Sequence, residues 1–357
     1  IKAGDIIRLQ RKNKSWLLAQ IPSAQAALVS LQPEDGAVRA IVGGFSFNTS
    51  KFNRATSARR QPGSSFKPFV YTASFERGYS PSSIVLDAPV IFRDRKGNVW
   101  RPQNDRGGFR GPMKLREALV QSRNLVSVRL LESIGVKFAI DYITNFGFTR
   151  DRVPANLSMS LGTASLAPIS IARGYTLFAN GGYLVEPYFI QSITNSNGVV
   201  IAYTHPKLAC AQCPERLAGD ASKAVVVDGF DLSSNGLSKD QMQISSSNFD
   251  PAFVGPPSVA LAPHTVDTRN TFLISDMMLD VVKRGTAVEA KILERADIGG
   301  KTGSTNDYRD AWFSGFGGDL VTTVWVGKDN FKTLGHSEYG GRAALPIWIN
   351  YMRAALN

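Results

Sequence analysis

The chain has 357 residues, enough for one large domain or two ordinary ones, and 43% of them are apolar, as in a globular protein with a buried core. No run approaches the roughly 18 apolar residues of a membrane-spanning helix, and no signal peptide opens the chain, so we expect a piece of a longer protein. The net charge of +12 indicates either an anionic partner or a solvated basic surface. Because the basic residues are scattered and no nucleic-acid-binding motif accompanies them, we expect no nucleic-acid partner.

The N-terminal part of the chain predicts two β-hairpins. Residues 1–22 contain two short strands, Asp5–Gln10 and Ser15–Ile21, around a basic turn. They are too few to form a domain, so we interpret them as the remnant of a second module. The next hairpin, Ala26–Leu31 with Ala37–Val42, is joined by a Pro-Glu-Asp-Gly turn.

The centre of the chain is mainly helical. Apolar residues recur at helical spacing from Ser64 to Arg77, with Pro68 in the first turn, where proline is tolerated. Further helices are predicted at Leu115–Gln121, Asn124–Ile134, Ile169–Ala179, Thr271–Lys283 and Pro346–Leu356. Two alternating segments near the end, Ala311–Phe316 and Val321–Val326, predict strands. This order predicts an α+β fold, in which the first and last strands share one antiparallel sheet flanked by helices and a helical subdomain is inserted between them.

Residues 195–265 differ from the rest of the chain because they are rich in Ser, Asn, Gly and Pro and show little periodicity, which predicts a flexible insertion. They include the only two cysteines, Cys210 and Cys213. Two thiolates cannot close a structural zinc site, so we expect no metal there. A local disulfide in an oxidising compartment is the favoured interpretation, and two free cysteines are the alternative.

A lysine, not a histidine, is the candidate base. The three histidines, His205, His264 and His336, lie in no Ser-His-Asp context and near no Gly-x-Ser-x-Gly elbow, so we interpret them as loop or surface residues. A serine acyl transferase would then depend on a lysine.

Ser64 and Lys67 form the only Ser-x-x-Lys sequence in the chain. Residues i and i+3 of a helix share a face, so Lys67 would lie one turn from the Ser64 hydroxyl. The helix start would favour the developing negative charge, and burial near another cation would lower the lysine pKa. The alternative is an N-cap serine beside a surface lysine, and this alternative is favoured if the tetrapeptide is considered alone.

The sequence Lys301-Thr302-Gly303 is also unique in the chain and is followed by strand signals. A lysine on an edge strand, beside a glycine that does not obstruct an approaching backbone, suits a peptide that ends in a carboxylate. The alternative is a turn with a surface lysine.

Ser122 and Asn124 form a Ser-x-Asn pattern at a junction between two predicted helices. A serine hydroxyl there can relay a proton, and an asparagine amide can hold a substrate peptide. An ordinary helix cap is the alternative, because the pattern alone is weak. In the order found here, however, the three elements form the signature of β-lactamases and penicillin-binding proteins.

Longer stretches also carry a resemblance. They are residues 31–44 (LQPEDGAVRAIVGG), 52–55 (FNRA), 60–68 (RQPGSSFKP), 160–165 (SLGTAS), 299–306 (GGKTGSTN) and 310–315 (DAWFSG). On these residues the chain resembles class A penicillin-binding proteins, subtype 1a of Gram-negative bacteria, over most of residues 25–357. The resemblance implies the transpeptidase fold that these enzymes share with serine β-lactamases.

The resemblance implies a DD-transpeptidase that cross-links peptidoglycan. Ser64 would attack the carbonyl between two terminal D-alanines of a stem peptide, Lys67 would take its proton, and Ser122 would pass a proton to the leaving D-alanine. Asn124 would hold the substrate amide, and Lys301 would supply positive potential. The acyl group would pass to an amine of a second stem peptide, β-lactams would trap the serine, and no cofactor is implied.

Substrate binding would extend along the strand. Thr302 and Gly303 would contribute to substrate binding, and the hydroxyls of Ser304 and Thr305 would bind the substrate carboxylate. The backbone N–H groups of Ser64 and Ser304 would form the oxyanion hole. Ser304 departs from the threonine usual in the family, which keeps the hydroxyl but puts β-lactam preference in doubt.

The resemblance also implies a domain arrangement. Residues 1–22 would be the edge of a small OB-like β-domain, and residues 23–357 would be the transpeptidase domain. A membrane anchor and a glycosyltransferase domain would precede this region and place it at the periplasmic face of the inner membrane. The competing interpretations are a serine β-lactamase, a DD-carboxypeptidase and a catalytically silent β-lactam-sensing domain. We see no water-activating residue for a β-lactamase.

Overall fold

A computed structural model describes residues 2–93, 97, 99–105, 107–213, 226–227, 230–231 and 260–356. The strands are β1 (Arg8–Lys12), β2 (Ser15–Ala19), β3 (Gln25–Leu31), β4 (Val38–Val42), β5 (Ile84–Asp87), β6 (Phe92–Arg93), β7 (Val99–Trp100), β8 (Gly111–Lys114), β9 (Ser192–Thr194), β10 (Val200–Tyr203), β11 (Val226–Val227), β12 (Phe230–Asp231), β13 (Gly299–Ser304), β14 (Asp310–Gly317) and β15 (Leu320–Gly327). The α-helices are α1 (Arg54–Ser57), α2 (Lys67–Glu76), α3 (Leu115–Val120), α4 (Asn124–Ile134), α5 (Val136–Ile143), α6 (Pro168–Asn180), α7 (Thr268–Arg284), α8 (Gly340–Ala343) and α9 (Leu345–Ala355). Short 3-10 helices lie at Gly63–Phe66, Thr144–Phe146, Arg150–Arg152, Leu157–Leu161, Val288–Leu293 and Asn306–Tyr308.

The central sheet has five antiparallel strands in the order β13-β14-β15-β3-β4. Strand β3, from the N-terminal part, pairs with β15 near the C-terminus, where Val29 lies opposite Thr323. The prediction that the first and last strands share one antiparallel sheet is therefore confirmed. Strand β13, which carries Lys301 and Gly303, is an edge strand, as the sequence predicted.

Helical structure covers both faces of this sheet. The Trp312 indole donates to the backbone oxygen of Gln61, just before the helix that carries Lys67. The next residue on β14, Phe313, packs its ring edge-on against Trp348 of α9. Successive side chains of a strand point to opposite faces, so the region around α2 lies on one face and the C-terminal helix on the other.

Helix α2 forms the centre of the helical region and is buried from Lys67 to Phe75. A helix that is buried on every side belongs to the core of its domain. The Phe69 ring lies between 4.9 and 5.5 Å, centroid to centroid, from five other rings, those of Phe66, Phe146, Phe148, Tyr175 and Phe178. This aromatic packing fixes the position of the helix and therefore of Lys67 at its first turn.

The predicted helix from Ser64 is in fact two elements, the 3-10 turn Gly63–Phe66 followed by α2. Pro68 has no backbone N–H to continue an α-helical ladder, and the Lys67 N–H bonds back to the Ser64 oxygen, a tighter i to i+3 bond. The sequence analysis also missed α5, which begins directly after Gly135, a residue with φ of +85° that ends α4.

Residues 1–22 contain the predicted hairpin, β1 with β2, and its side chains are largely exposed, Trp16 to 64%. Its assignment to a separate small β-domain remains a prediction. The β9–β10 hairpin begins just before the predicted insertion, and β10 and the expected disulfide between Cys210 and Cys213 lie inside it. Within the insertion, residues 214–225, 228–229 and 232–259 lie outside the described residues.

None of the helices in the described ranges combines the length and the apolar character that crossing a membrane would require.

Candidate active site

The three sequence motifs converge on one site between the sheet edge and the helical region. Ser64 lies in the 3-10 turn before α2, Ser122 lies between α3 and α4, and Lys301 lies on β13. Lys67 and Lys301 have no exposed surface, and Ser64 is 8% exposed. Two buried lysines therefore lie behind a hydroxyl that solvent can reach.

Glycines allow the turn Gly63–Phe66 to lie directly against β13. This turn carries the candidate nucleophile Ser64 and is called the nucleophile turn below. Gly63, with φ of +55°, would place a Cβ 2.3 Å from the backbone oxygen of Ser304. A Cβ on Gly303 would lie 2.2 Å from the oxygen of Pro62, and one on Gly162 would lie 1.9 Å from the oxygen of Gly63. Side chains at these positions would separate the backbones, so the approach of the turn to the strand depends on glycine.

Three hydrogen bonds fix the nucleophile turn. The Ser65 hydroxyl donates to the Lys301 oxygen at 3.2 Å, and the buried Tyr175 hydroxyl donates to the Ser65 oxygen at 2.7 Å. The Trp312 indole donates to the Gln61 oxygen at 2.8 Å. The turn is therefore held from the strand and from α6, which is the preorganisation that acyl transfer requires.

The Lys67 ammonium has three acceptors. Its Nζ donates to the Ser122 oxygen and to Asn124 Oδ1, each at 2.8 Å, and to Ser122 Oγ at 3.3 Å. Among the described residues, no hydrogen bond joins Lys67 to the Ser64 hydroxyl, although the two lie on consecutive turns. A neutral amine has two protons for the two short bonds, and its lone pair would then be available to a new donor.

Burial lowers the pKa of Lys67 to about 7, and its loss of hydration outweighs the opposing charge of Asp105. Burial also lowers the pKa of Lys301 well below its ordinary value, and the charge of Lys67 acts in the same direction. A lysine with a pKa near neutrality can change its proton occupancy at physiological pH, which a general base needs.

Ser122 has an unusual backbone conformation. Its φ is +55°, in a region that non-glycine residues enter only at a cost of about 1 kcal/mol or more. This conformation joins α3 to α4 and directs both oxygens of Ser122 to the Lys67 amine. Lys301 Nζ donates to the same hydroxyl at 2.9 Å, so Ser122 Oγ bridges the two lysines.

A buried polar network that sequence reasoning missed positions the start of α4. Asn104 Oδ1 accepts hydrogen bonds from the backbone N–H groups of Asn124 and Leu125, which makes it the cap of this helix from a distant loop. The Asn104 amide donates to Asp87, and Asp87 forms a buried ion pair with Arg123 at 2.6 Å. No periodicity or local pattern marks Asn104 or Asp87, because both act on residues far along the chain.

The hydroxyls of Ser304 and Thr305 each accept a backbone N–H. Ser304 Oγ accepts from Gly340 and Thr305 Oγ1 from Asp310, both at 2.9 Å. Each bond engages one lone pair of its hydroxyl. The Thr305 hydroxyl also interacts with the Asp310 carboxylate, so within the described residues Ser304 is the hydroxyl better placed to donate to an anion. Asp310 also forms a buried ion pair, at 2.9 Å, with Arg60. Arg60 lies four residues before Ser64 in the chain.

The structure thus brings together Ser64, Lys67, Ser122, Asn124 and Lys301, with the rest of β13 along one side. The histidines have other surroundings. His264 Nε2 contacts the Gly181 oxygen and the Thr268 hydroxyl, and His336 packs against Tyr308. In the described part of the chain, no group of three His, Cys, Asp or Glu side chains could hold a metal ion.

Such a site, built on an antiparallel sheet with a serine–lysine turn at its edge, is the arrangement typical of penicillin-binding proteins and serine β-lactamases. The chain belongs to the penicillin-binding protein transpeptidase domain family, whose model matches residues 26–212.

The similarity extends to individual proteins of one subtype. The chain is 47% identical over 359 residues to penicillin-binding protein 1A of Pseudomonas aeruginosa, with 99% of this chain and 43% of that protein covered. It is 40% identical to penicillin-binding protein 1A of Escherichia coli, with 100% and 45% covered. The crystal structure of penicillin-binding protein 1A from Haemophilus influenzae superposes with a TM-score of 0.86 at 37% identity, covering 100% of this chain and 51% of that one.

These matches confirm the resemblance to subtype 1a of Gram-negative bacteria and the transpeptidase fold. The chain spans less than half the length of the curated relatives that it matches.

Proposed function

We propose that this chain is a peptidoglycan DD-transpeptidase that works through a serine acyl-enzyme. The observation that carries this proposal is the bridge formed by Lys67, Ser122 and Lys301, in which Lys67 lies three residues after Ser64 at the start of α2. It offers a base with a pKa near neutrality, a hydroxyl that can relay a proton and a second lysine whose hydrogen bond holds that hydroxyl in place. Family membership supplies the reaction class.

In the acylation step, Ser64 Oγ attacks the carbonyl carbon of the penultimate D-alanine, and its proton passes to the neutral Lys67 amine. A C–O bond forms, and the carbonyl oxygen becomes an oxyanion. The backbone N–H groups of Ser64 and Ser304 would stabilise that charge, which is consistent with the close contact of their segments at Gly63. On collapse the C–N bond breaks, and Ser122 passes the Lys67 proton to the leaving amine.

The substrate carboxylate would bind beside β13. The Ser304 hydroxyl would donate to it, the Thr305 hydroxyl would do so on turning away from Asp310, and Lys301 would add positive potential. Charge-assisted hydrogen bonds to a carboxylate are about twice as strong as neutral ones. Thr302 and Gly303 would offer their backbone to the extended peptide, which would lie along the edge strand of the sheet.

The acyl group then leaves Ser64 for an amine of a second stem peptide. The amine nitrogen attacks the ester carbonyl, the C–O bond breaks, and Ser64 Oγ regains a proton that the attacking amine has given up through the Lys67 and Ser122 relay. Asn124, held between Lys67 and the loop at Gln103, would orient the donor amide. β-Lactams would acylate the same serine and leave it blocked.

The larger protein to which such a domain belongs would carry a membrane anchor and a glycosyltransferase domain. It would place this domain at the periplasmic face of the inner membrane. The local disulfide between Cys210 and Cys213 supports an oxidising compartment.

The test is the intact-protein mass after mixing with benzylpenicillin, beside a Ser64→Ala control. We expect a stable mass increase of one drug molecule that is absent from the control. Rapid drug turnover without a lasting adduct would indicate a β-lactamase, and no reaction would favour a silent domain. Adding a D-alanyl-D-alanine peptide with and without an acceptor amine then separates transpeptidation from carboxypeptidase activity, because only the first gives a cross-linked product.

A further inference from the structure

Asp105 is a carboxylate at the edge of the candidate site to which none of the three motifs assigns a role. It follows Asn104, the residue that caps α4, and its side chain is exposed. Its Oδ1 accepts a hydrogen bond from Asn124 Nδ2 at 2.9 Å. Among the described residues, no hydrogen bond or ion pair involves its other oxygen, Oδ2.

The amide of Asn124 is fully engaged in this arrangement. Its Oδ1 accepts from Lys67, and its Nδ2 donates to the Gln103 oxygen and to Asp105, both at 2.9 Å. The amide nitrogen has two protons, so a substrate carbonyl that binds to Asn124 must displace one of these acceptors. Asp105 is the acceptor that can move, because it accepts through an exposed side chain, whereas Gln103 accepts through its backbone oxygen. Its carboxylate would then lie beside the substrate group attached to that amide.

The charge of Asp105 influences the pKa of the two lysines in the site. It favours the ammonium forms of both Lys67 and Lys301, and its effect on Lys67 is larger than those of Arg123 and Asp87. Asp87 already has a partner in Arg123 and is buried. Asp105 is therefore the negative charge that an incoming ligand would meet next to Asn124.

We propose that Asp105 is a specificity residue that attracts a primary ammonium group carried by the acyl donor next to the amide held by Asn124, and that it repels an anion at the same place. The inference rests on the proposed acyl-enzyme function and adds a preference for cationic donors. Exposed ion pairs are weak, so the expected discrimination is only about threefold for each sign of charge.

Three penicillins that differ at one carbon next to the side-chain amide provide the probe. Benzylpenicillin is neutral there, ampicillin carries an ammonium, and carbenicillin carries a carboxylate. The acylation rate constant per drug concentration is measured by intact mass for the wild-type chain and for Asp105→Asn, which keeps an acceptor oxygen for Asn124 and removes only the charge. The pH is kept below the pKa of the ampicillin amine.

In Asp105→Asn we expect the ratio of the ampicillin rate to the benzylpenicillin rate to fall about threefold and the carbenicillin ratio to rise about threefold. Ratios cancel any general effect on Lys67 or Asn124. Asp319→Asn is the control. Asp319 is an exposed carboxylate in the β14–β15 turn, at the opposite end of β14 from Ala311, the residue that pairs with Ser304. Its substitution removes the same charge and should change neither ratio. Asp105→Glu should keep the wild-type ratios.

Unchanged ratios in Asp105→Asn would overturn the inference, even if all three rates fall together, because a purely structural role would act on the three drugs alike. Raised salt should reduce the wild-type preference and leave the variant's ratios as they are. The proposed function fails separately, if benzylpenicillin does not acylate the wild-type chain at all.

Discussion

Lys301 Nζ donates a hydrogen bond to Ser122 Oγ at 2.9 Å, although the two residues lie 179 positions apart in the chain. The bond crosses from the edge strand of the sheet to the junction between α3 and α4, so it joins the two halves of the site. Since Lys67 Nζ lies 3.3 Å from the same oxygen, the hydroxyl has a lysine amine on each side. Its own proton can therefore be given up and regained with little movement.

Removing the Lys301 amine should disable this relay. In Lys301→Ala we expect acylation by benzylpenicillin to slow about 10²-fold or more, the size of effect found when one preorganised donor is removed. Burial of Lys301 means that the variant also leaves a cavity, so its unfolding must be measured alongside. Lys291→Ala, at an exposed position, is the control and should acylate normally. A Lys301→Ala chain that is folded and acylates at the wild-type rate would contradict the relay.

The pKa of Lys67, lowered to about 7 by burial, makes acylation depend on pH. Only the neutral amine accepts the Ser64 proton, and the neutral fraction grows as the pH rises through the pKa. We therefore expect the acylation rate to rise with pH, with a midpoint near 7, and to level off above it. The measurement is a pH profile of benzylpenicillin acylation followed by intact mass. A flat profile between pH 6 and pH 8 would show that this proton does not limit the reaction.

Asp105→Asn tests one contribution to that midpoint, the charge that opposes the effect of burial. The charge of Asp105 favours the Lys67 ammonium, so removing it should lower the Lys67 pKa and shift the midpoint to lower pH. The shift should be small, because solvent screens an exposed carboxylate. Asp319→Asn should leave the profile in place. A shift to higher pH would mean that Asp105 influences Lys67 mainly through the Asn124 hydrogen bond.

Substitutions of Ser122 can distinguish the effect of its hydroxyl on the acylation rate from the effect of its positive φ on stability. Ser122→Ala and Ser122→Gly both remove the relay, and both should slow acylation about 10²-fold or more. Only glycine accepts φ of +55° without steric cost, so Ser122→Gly should be the more stable of the two by about 1 kcal/mol in urea unfolding. Equal stabilities would show that the positive φ costs nothing at this position, and normal acylation by either variant would remove the hydroxyl from the mechanism.

Sequence patterns predict local secondary structure and residues that belong to known motifs. Periodicity located α4 and α6 to within a few residues, and the three motifs located the lysines and serines of the site. They could not show that Asn104 caps α4 from 20 residues away, because that contact depends on how a loop folds back. Nor could they show that the turn at Ser64 would be a 3-10 helix or that Ser122 would have a positive φ. Both follow from packing that only the assembled fold supplies.

The contact between the nucleophile turn and β13 can be opened by one methyl group. In Gly303→Ala, the new Cβ would lie 2.2 Å from the Pro62 oxygen and 2.6 Å from Ser65 Oγ, so the strand must move away from the turn. A displacement of about 1 Å can cost 10²-fold in rate, and we expect acylation to fall by that amount in a chain that still unfolds cooperatively. Gly78→Ala is the control, because Gly78 also has a positive φ, +86°, but nothing within 4 Å of a new Cβ. It should lose about 1 kcal/mol of stability and keep its acylation rate. If Gly303→Ala also keeps its rate, the close approach of Gly303 to the turn is not needed to align Ser64 with the strand.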